Sequence, residues 1–85
     1  MVAAVIASVT VYTQPRCPSC TQTIRHLERR GISFETRPID ESIRQVAKRM
    51  GITTAPVVRV VTDAGDRWWG GFRPDRIDQL AGGAR

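Results

Sequence analysis

Proline and glycine cut this chain into segments so short that each has room for one strand or one helix. Ser8-Val9-Thr10-Val11-Tyr12-Thr13 alternates polar and apolar residues and is rich in β-branched side chains, which predicts a strand that Pro15 stops. Pro18 suits the first turn of a helix, where a missing N–H costs nothing. That helix is expected to run to about Arg30, with Cys20, Ile24 and Leu27 on one face and Gly31 as its stop. Ile32 to Arg37 reads as a second strand. Asp40 is placed to cap a second helix, in which Ile43, Val46, Ala47 and Met50 recur at helical spacing until Gly51 ends it. Pro56-Val57-Val58-Arg59-Val60-Val61 reads as a third strand. Asp63-Ala64-Gly65-Asp66 reads as a turn into a short fourth strand around Arg67 to Gly70. Pro74 opens a last helix with Ile77 and Leu80 as its core contacts.

The order is therefore βαβαββα. Its strand–helix–strand opening requires a parallel pair, and its short turn near Gly65 requires an antiparallel hairpin. A four-stranded mixed sheet flanked by three helices satisfies both, so the fold class is α/β. The whole chain, residues 1–85, is expected to form one domain. A chain of this length buries only about 60–65% of the surface it exposes when unfolded.

Charge and composition narrow the function classes. Hydrophobic residues at 41% and charged residues at 25% fit a soluble globular protein rather than a disordered or membrane-spanning one. The apolar opening MVAAVIA is too short for a membrane span and lacks the positive flank of a secretory signal, so a cytoplasmic protein is expected. The net charge of +5 comes from thirteen basic residues against eight acids. Acids separate many of the basic residues, and no basic run exceeds two, which predicts a solvated arginine-rich surface and no nucleic-acid partner. A docking face for an acidic protein partner is the other reading.

The two cysteines, Cys17 and Cys20, fall where the first strand meets the first helix. Only the thiolate attacks a disulfide, so a useful redox cysteine needs a lowered pKa. An unperturbed thiol is only about 3% ionised at pH 7, whereas one tuned to near 7 is about half ionised. Cys17 lies at or just before the helix start, where unpaired N–H groups and the helix dipole favour negative charge, and Arg16 adds a neighbouring cation. Cys20 lies one turn inside, on the buried face. Cys17 is therefore the candidate nucleophile and Cys20 the candidate resolving thiol, with Pro18 and Ser19 bearing on the poise of the couple. A structural disulfide closing so small a loop constrains the unfolded chain little. A zinc site needs four ligands, and His26, the only additional candidate, is expected at the surface, so a metal would require a dimer pooling two CxxC pairs.

Thr54-Ala55-Pro56 precedes the third strand, either as a plain strand start or as a cis-proline turn that directs the Ala55 backbone outward. Together with Cys17-Pro18-Ser19-Cys20 and the βαβαββα order, it resembles the thioredoxin fold in its minimal, glutaredoxin-like form, over nearly all of the chain from Ser8 onward. Trp69-Gly70-Gly71-Phe72-Arg73-Pro74 is similar to the W-S-G-F-R-P signature of NrdH-type redoxins. Val9 to Thr13 and Ala55 to Val58 match that family too. Gly70 stands where the family usually has serine, and Pro18-Ser19 where it usually has a hydrophobic–glutamine pair.

The resemblance implies a thiol–disulfide electron carrier fed by thioredoxin reductase and directed to the disulfide of a class Ib ribonucleotide reductase. It implies no bound cofactor, and a monomer is expected. It also implies that Thr54, Ala55 and Pro56 form a substrate ledge beside Cys17, and that Trp69, Gly70, Gly71, Phe72, Arg73 and Pro74 shape a partner surface. Against this stand two blander expectations: Trp69 and Phe72 as core aromatics, and Arg73 as an ion-pair partner for Asp75 or Asp78; Trp68 falls outside the motif and is assigned no role. A glutathione-dependent glutaredoxin and a dimeric CxxC metal or iron–sulfur protein are the competing functional readings.

Overall fold

A computed structural model describes residues 5–83; the first four residues of the apolar opening and the last two of the chain, Arg85 among them, lie outside the described residues. The elements run β1 (Ile6–Thr13), α1 (Pro18–Arg29), β2 (Glu35–Pro38), α2 (Glu41–Arg49), β3 (Val57–Thr62), β4 (Gly65–Gly70) and α3 (Pro74–Gly83). The βαβαββα order holds. The strands form one mixed sheet in the order β2-β1-β3-β4, with β1 parallel to β2 and antiparallel to β3, and β3 antiparallel to β4.

Alternation along the strands divides the side chains between the two faces of the sheet. Val9 and Val11 of β1 oppose Val60 and Val58 of β3, and Val58 opposes Trp69 of β4. These side chains close over Leu27 of α1 and Ile77 of α3 to make the buried core, with Phe34, Phe72 and Leu80 packed at its margin. On the opposite face, Val57 shares a cavity with Ala47 of α2.

Both of the first two helices end in the same way. Gly31 and Gly51 take positive φ values of 69° and 73°, and the amides of Ile32 and Ile52 reach back to the carbonyls of Leu27 and Ala47. This is a Schellman motif, in which a left-handed residue lets the chain reverse and satisfy the last carbonyls. It corrects two expectations. Ile32 belongs to the helix stop and to the core margin, so β2 starts only at Glu35 and extends to Pro38, rather than spanning Ile32 to Arg37. Met50 is the C-cap of α2 and is 51% exposed, so it is not the fourth residue of the buried stripe.

Three further boundaries moved. β1 begins at Ile6, two residues early. β3 begins at Val57 and continues to Thr62, because Pro56 has no N–H to give the ladder. The hairpin turn is only Asp63-Ala64, since Thr62 already pairs with Gly65, and the Thr62 hydroxyl closes it by donating to the Gly65 carbonyl.

Asp40 caps α2 as expected, with its carboxylate accepting from the Ile43 amide at 2.9 Å and from the Ser42 hydroxyl at 2.8 Å. The Ile43 amide first, then Ser42, holds the carboxyl below its ordinary value of 3.8. A group whose folded pKa is depressed stabilises the fold above the unfolded value and loses that effect as pH falls through the folded one. Asp40→Ala is therefore expected to lower the thermal midpoint by a few degrees at neutral pH. The gap from the parent should narrow in melts run below pH 4; a gap independent of pH would remove the carboxylate from the cap.

Candidate active site

The site is assembled at the junction of β1 and α1. Between Thr13 and Pro18 the chain must turn sharply, and Arg16 takes a positive φ of 57° to do so. A non-glycine residue in that region carries strain of order 1–3 kcal/mol, which locates a constraint at this turn that residue types alone do not reveal. Cys17 follows as the N-cap of α1, and its sulfur accepts the Cys20 amide at 3.1 Å. Pro18 occupies the first helical position, where it costs no hydrogen bond.

Cys17 and Cys20 are joined as a disulfide, with their Cα atoms 5.2 Å apart. Their surroundings differ. Both border an open depression that Arg16, Thr21 and Ile24 also line, but Cys17 is half-buried there whereas Cys20 is only 4% exposed, on the core side of the helix. A sulfur at a helix N-terminus, receiving a backbone N–H, is in surroundings that favour the thiolate. Arg16 is exposed, and among the described residues it makes no ion pair.

The segment Thr54-Ala55-Pro56 lies alongside, and the Ala55–Pro56 peptide is cis. The contact that joins the two halves of the site is made by Ser19, whose hydroxyl donates to the Ala55 carbonyl at 2.7 Å and lies 3.4 Å from the Cys17 sulfur. The sequence tied Ser19 to the poise of the couple; its contact with Ala55 has no signal in the local sequence. Beyond Ala55 opens a groove of about 300 Å³, flanked by Gln14 and by Arg44 and Lys48 of α2.

The six residues from Trp69 to Pro74 do not share one environment. Gly70 and Gly71 press against Thr54 from behind. A Cβ at Gly70 would meet Ile52 Cγ2 and lie 2.8 Å from the Thr54 carbonyl oxygen, and one at Gly71 would lie 3.0 Å from Thr54 Oγ1. The Gly71 amide also donates to the Pro56 carbonyl at 2.9 Å. These two residues therefore buttress the ledge. Trp69 instead points into the core at 5% exposure. It borders a separate cavity of about 240 Å³ that Ile6, Arg67, Arg76 and Leu80 also line.

Phe72 is half-buried and meets His26 edge-on, with ring centroids 5.9 Å apart. Arg73 is exposed and pairs with Asp75, and its guanidinium hydrogen bonds hold the Asp75 carboxyl below the ordinary range. Pro74 starts α3. His26 is not the free surface residue expected. Its Nε2 lies 2.8 Å from Asp78 Oδ1 and its side chain is 20% exposed, because α3 packs over that side of α1. Trp68 lies on the other face of the sheet, stacked with Tyr12 and beneath the Arg59 guanidinium.

The Glutaredoxin family model matches residues 9–63. The glutaredoxin-like protein NrdH of Salmonella typhimurium is 39% identical over 75 residues, spanning 86% of this chain and 88% of that one. Glutaredoxin 3 of Escherichia coli is 36% identical over 56 residues, spanning 62% of this chain and 68% of that one. Among solved structures, the NrdH-redoxin of Escherichia coli, studied for a thioredoxin-like activity profile, superposes with a TM-score of 0.71 at 37% identity. That match covers 86% of this chain and 93% of the other.

The packing at Gly70 generates a test. Gly70→Ser, which restores the commoner residue of the motif, is expected to destabilise this chain by about 1–3 kcal/mol, because the added atoms meet Ile52 and a backbone carbonyl. Urea unfolding measures it, and a variant as stable as the parent would show that Thr54 is not buttressed as described.

Proposed function

The chain belongs to the glutaredoxin family and within it to the NrdH-type redoxins, and from that premise we propose that it carries electrons from thioredoxin reductase to a protein disulfide. A class Ib ribonucleotide reductase is the first target to test, and the cytoplasm is the compartment in which a reductase of this kind works. The chemistry is thiol–disulfide exchange at Cys17 and Cys20.

One observation supports the division of labour best. Cys17 is the half-buried N-cap whose sulfur already receives a backbone N–H, while Cys20 is only 4% exposed, at the inner edge of the same depression. Once reduced, Cys17 would present a thiolate stabilised by that amide and by the helix terminus, with Arg16 adding positive potential over the same depression. The thiolate attacks one target sulfur, forming a mixed disulfide and releasing the other target sulfur as a thiolate. Cys20 then gives up its proton and attacks Cys17, closing the internal disulfide and freeing the target.

Thr54, Ala55 and Pro56 would form the edge along which the target backbone lies, with Gly70 and Gly71 holding that edge in place. Trp69 contributes through the core, and Phe72, Arg73 and Pro74 form the outer rim of the partner surface. Arg44 and Lys48 beside the groove favour an acidic target segment. The protein works as a single-domain monomer and needs no bound cofactor for this exchange. A glutaredoxin reading draws on the likeness to glutaredoxin 3. It differs only in taking electrons from glutathione.

Two measurements decide. Cys20→Ser is expected to trap a mixed disulfide with the target, visible as a band that dithiothreitol abolishes, and Cys17→Ser to remove both trapping and turnover. Retained turnover in the latter would refute the assignment. NADPH oxidation is expected with thioredoxin reductase and a model disulfide; turnover only with glutathione and glutathione reductase would establish the glutaredoxin reading instead. Activity with neither, together with bound metal or visible absorption, would favour a metal protein.

A further inference from the structure

Ser19 sits between two acceptors and has one proton to give. Its hydroxyl oxygen is 2.7 Å from the Ala55 carbonyl oxygen and 3.4 Å from the Cys17 sulfur. Its backbone is held in place, since the Thr23 hydroxyl donates to the Ser19 carbonyl at 2.8 Å and Thr23 is fully buried. Rotation about one side-chain bond is therefore enough to change the partner of the hydroxyl.

Which acceptor wins depends on charge. In the disulfide, the Cys17 sulfur is neutral and a weak acceptor, so the proton goes to Ala55, as the short distance shows. In the dithiol form the same sulfur is a thiolate, and a hydrogen bond to an ionised acceptor is roughly twice as strong as a neutral one. We propose that the Ser19 hydroxyl is a redox-dependent gate on the Ala55 carbonyl: it caps that carbonyl in the oxidised protein and turns to Cys17 in the reduced protein, opening the carbonyl to a target peptide N–H.

The consequence is directional. The reduced protein offers a free backbone acceptor next to the attacking sulfur, which a polypeptide bringing a disulfide can use. Cys17 attacks, one target sulfur leaves as a thiolate, and the Cys17 sulfur becomes neutral within the mixed disulfide. Cys20, deprotonated to solvent, closes the internal disulfide and expels the second target thiolate. Two electrons have then passed to the target, while Ser19 has changed partner without losing its proton. The hydroxyl returns to Ala55 and displaces the target backbone. Ser19 is thus a positioning residue that favours binding before exchange and release after it. This rests on the disulfide-reductase reading above.

The Ala55 carbonyl carbon reports the gate directly by NMR. In the parent protein its resonance is expected to move toward the unbonded position when dithiothreitol reduces the disulfide, and Ser19→Thr should preserve that movement. In Ser19→Ala it should sit at the unbonded position in both states. A second readout is inhibition of turnover by an S-methylated product peptide, which cannot exchange. With thioredoxin reductase limiting, so that the oxidised form predominates, Ser19→Ala should be inhibited about fivefold more tightly than the parent, the worth of one ordinary hydrogen bond. An Ala55 resonance indifferent to redox state, a redox shift that persists in Ser19→Ala, or equal or absent inhibition in both proteins would overturn the gate. A parent protein that reduces no disulfide would instead overturn the functional reading.

Discussion

The Cys20 amide and the Cys17 sulfur meet at 3.1 Å, and the rest of the site is arranged around that contact. A helix begins with donors that no preceding turn can satisfy. Here β1 delivers a cysteine to that position, and the strained turn at Arg16 sets the angle of delivery. The arrangement uses the same physics as an ordinary Asp or Ser cap, and α2 shows the ordinary version at Asp40. In α1 the capping atom belongs to the CxxC pair itself. The helix therefore gains a cap while the sulfur gains a donor, and neither requires a neighbouring acid or base.

The second half of the site is built by backbone rather than by functional side chains. The ledge from Thr54 to Pro56 is pressed from behind by Gly70 and Gly71, so closely that a Cβ at Gly70 has no space. A glycine pair in such a place acts as a spacer of minimum thickness, which lets β4 approach the ledge and fix it. The segment from Trp69 to Pro74 thus serves the packing of the site even though its largest residue faces inward. Trp69 anchors β4 in the core, the glycines set the distance, and Arg73 is the fully exposed member of the segment.

Electrostatics at the surface are mostly local. Arg59 pairs with Asp66, Arg73 with Asp75, and Arg30 with Asp78, and exposed pairs of this kind contribute little to stability. Arg44 lies 3.6 Å from Glu41, and Lys48 beside it lines the groove next to Ala55. Positive charge is thus concentrated at two places beside the site, Arg16 by the Cys17 depression and Arg44 with Lys48 by the groove next to Ala55.

Residues within one helical turn of each other settled much of this protein directly. Proline and glycine punctuation, the Asp40 cap and the Cys17 position followed from short-range geometry, because capping and helix stopping depend on neighbours only a few residues away. The places where reading along the chain fell short share one property: their partners are distant. Ile32 left β2 because it closes a helix stop and packs on the core, and His26 is only partly exposed because α3 packs beside it and brings Asp78 within 2.8 Å. Gly70 is explained by Ile52 and Thr54 rather than by a missing serine hydroxyl. Ser19 meets Ala55 across 36 residues of sequence. The sequence by itself determined the order of elements and the chemistry at the head of α1. Only the tertiary structure decided what lies against that chemistry, because a contact between remote segments depends on how the sheet and helices pack, and no local pattern encodes it.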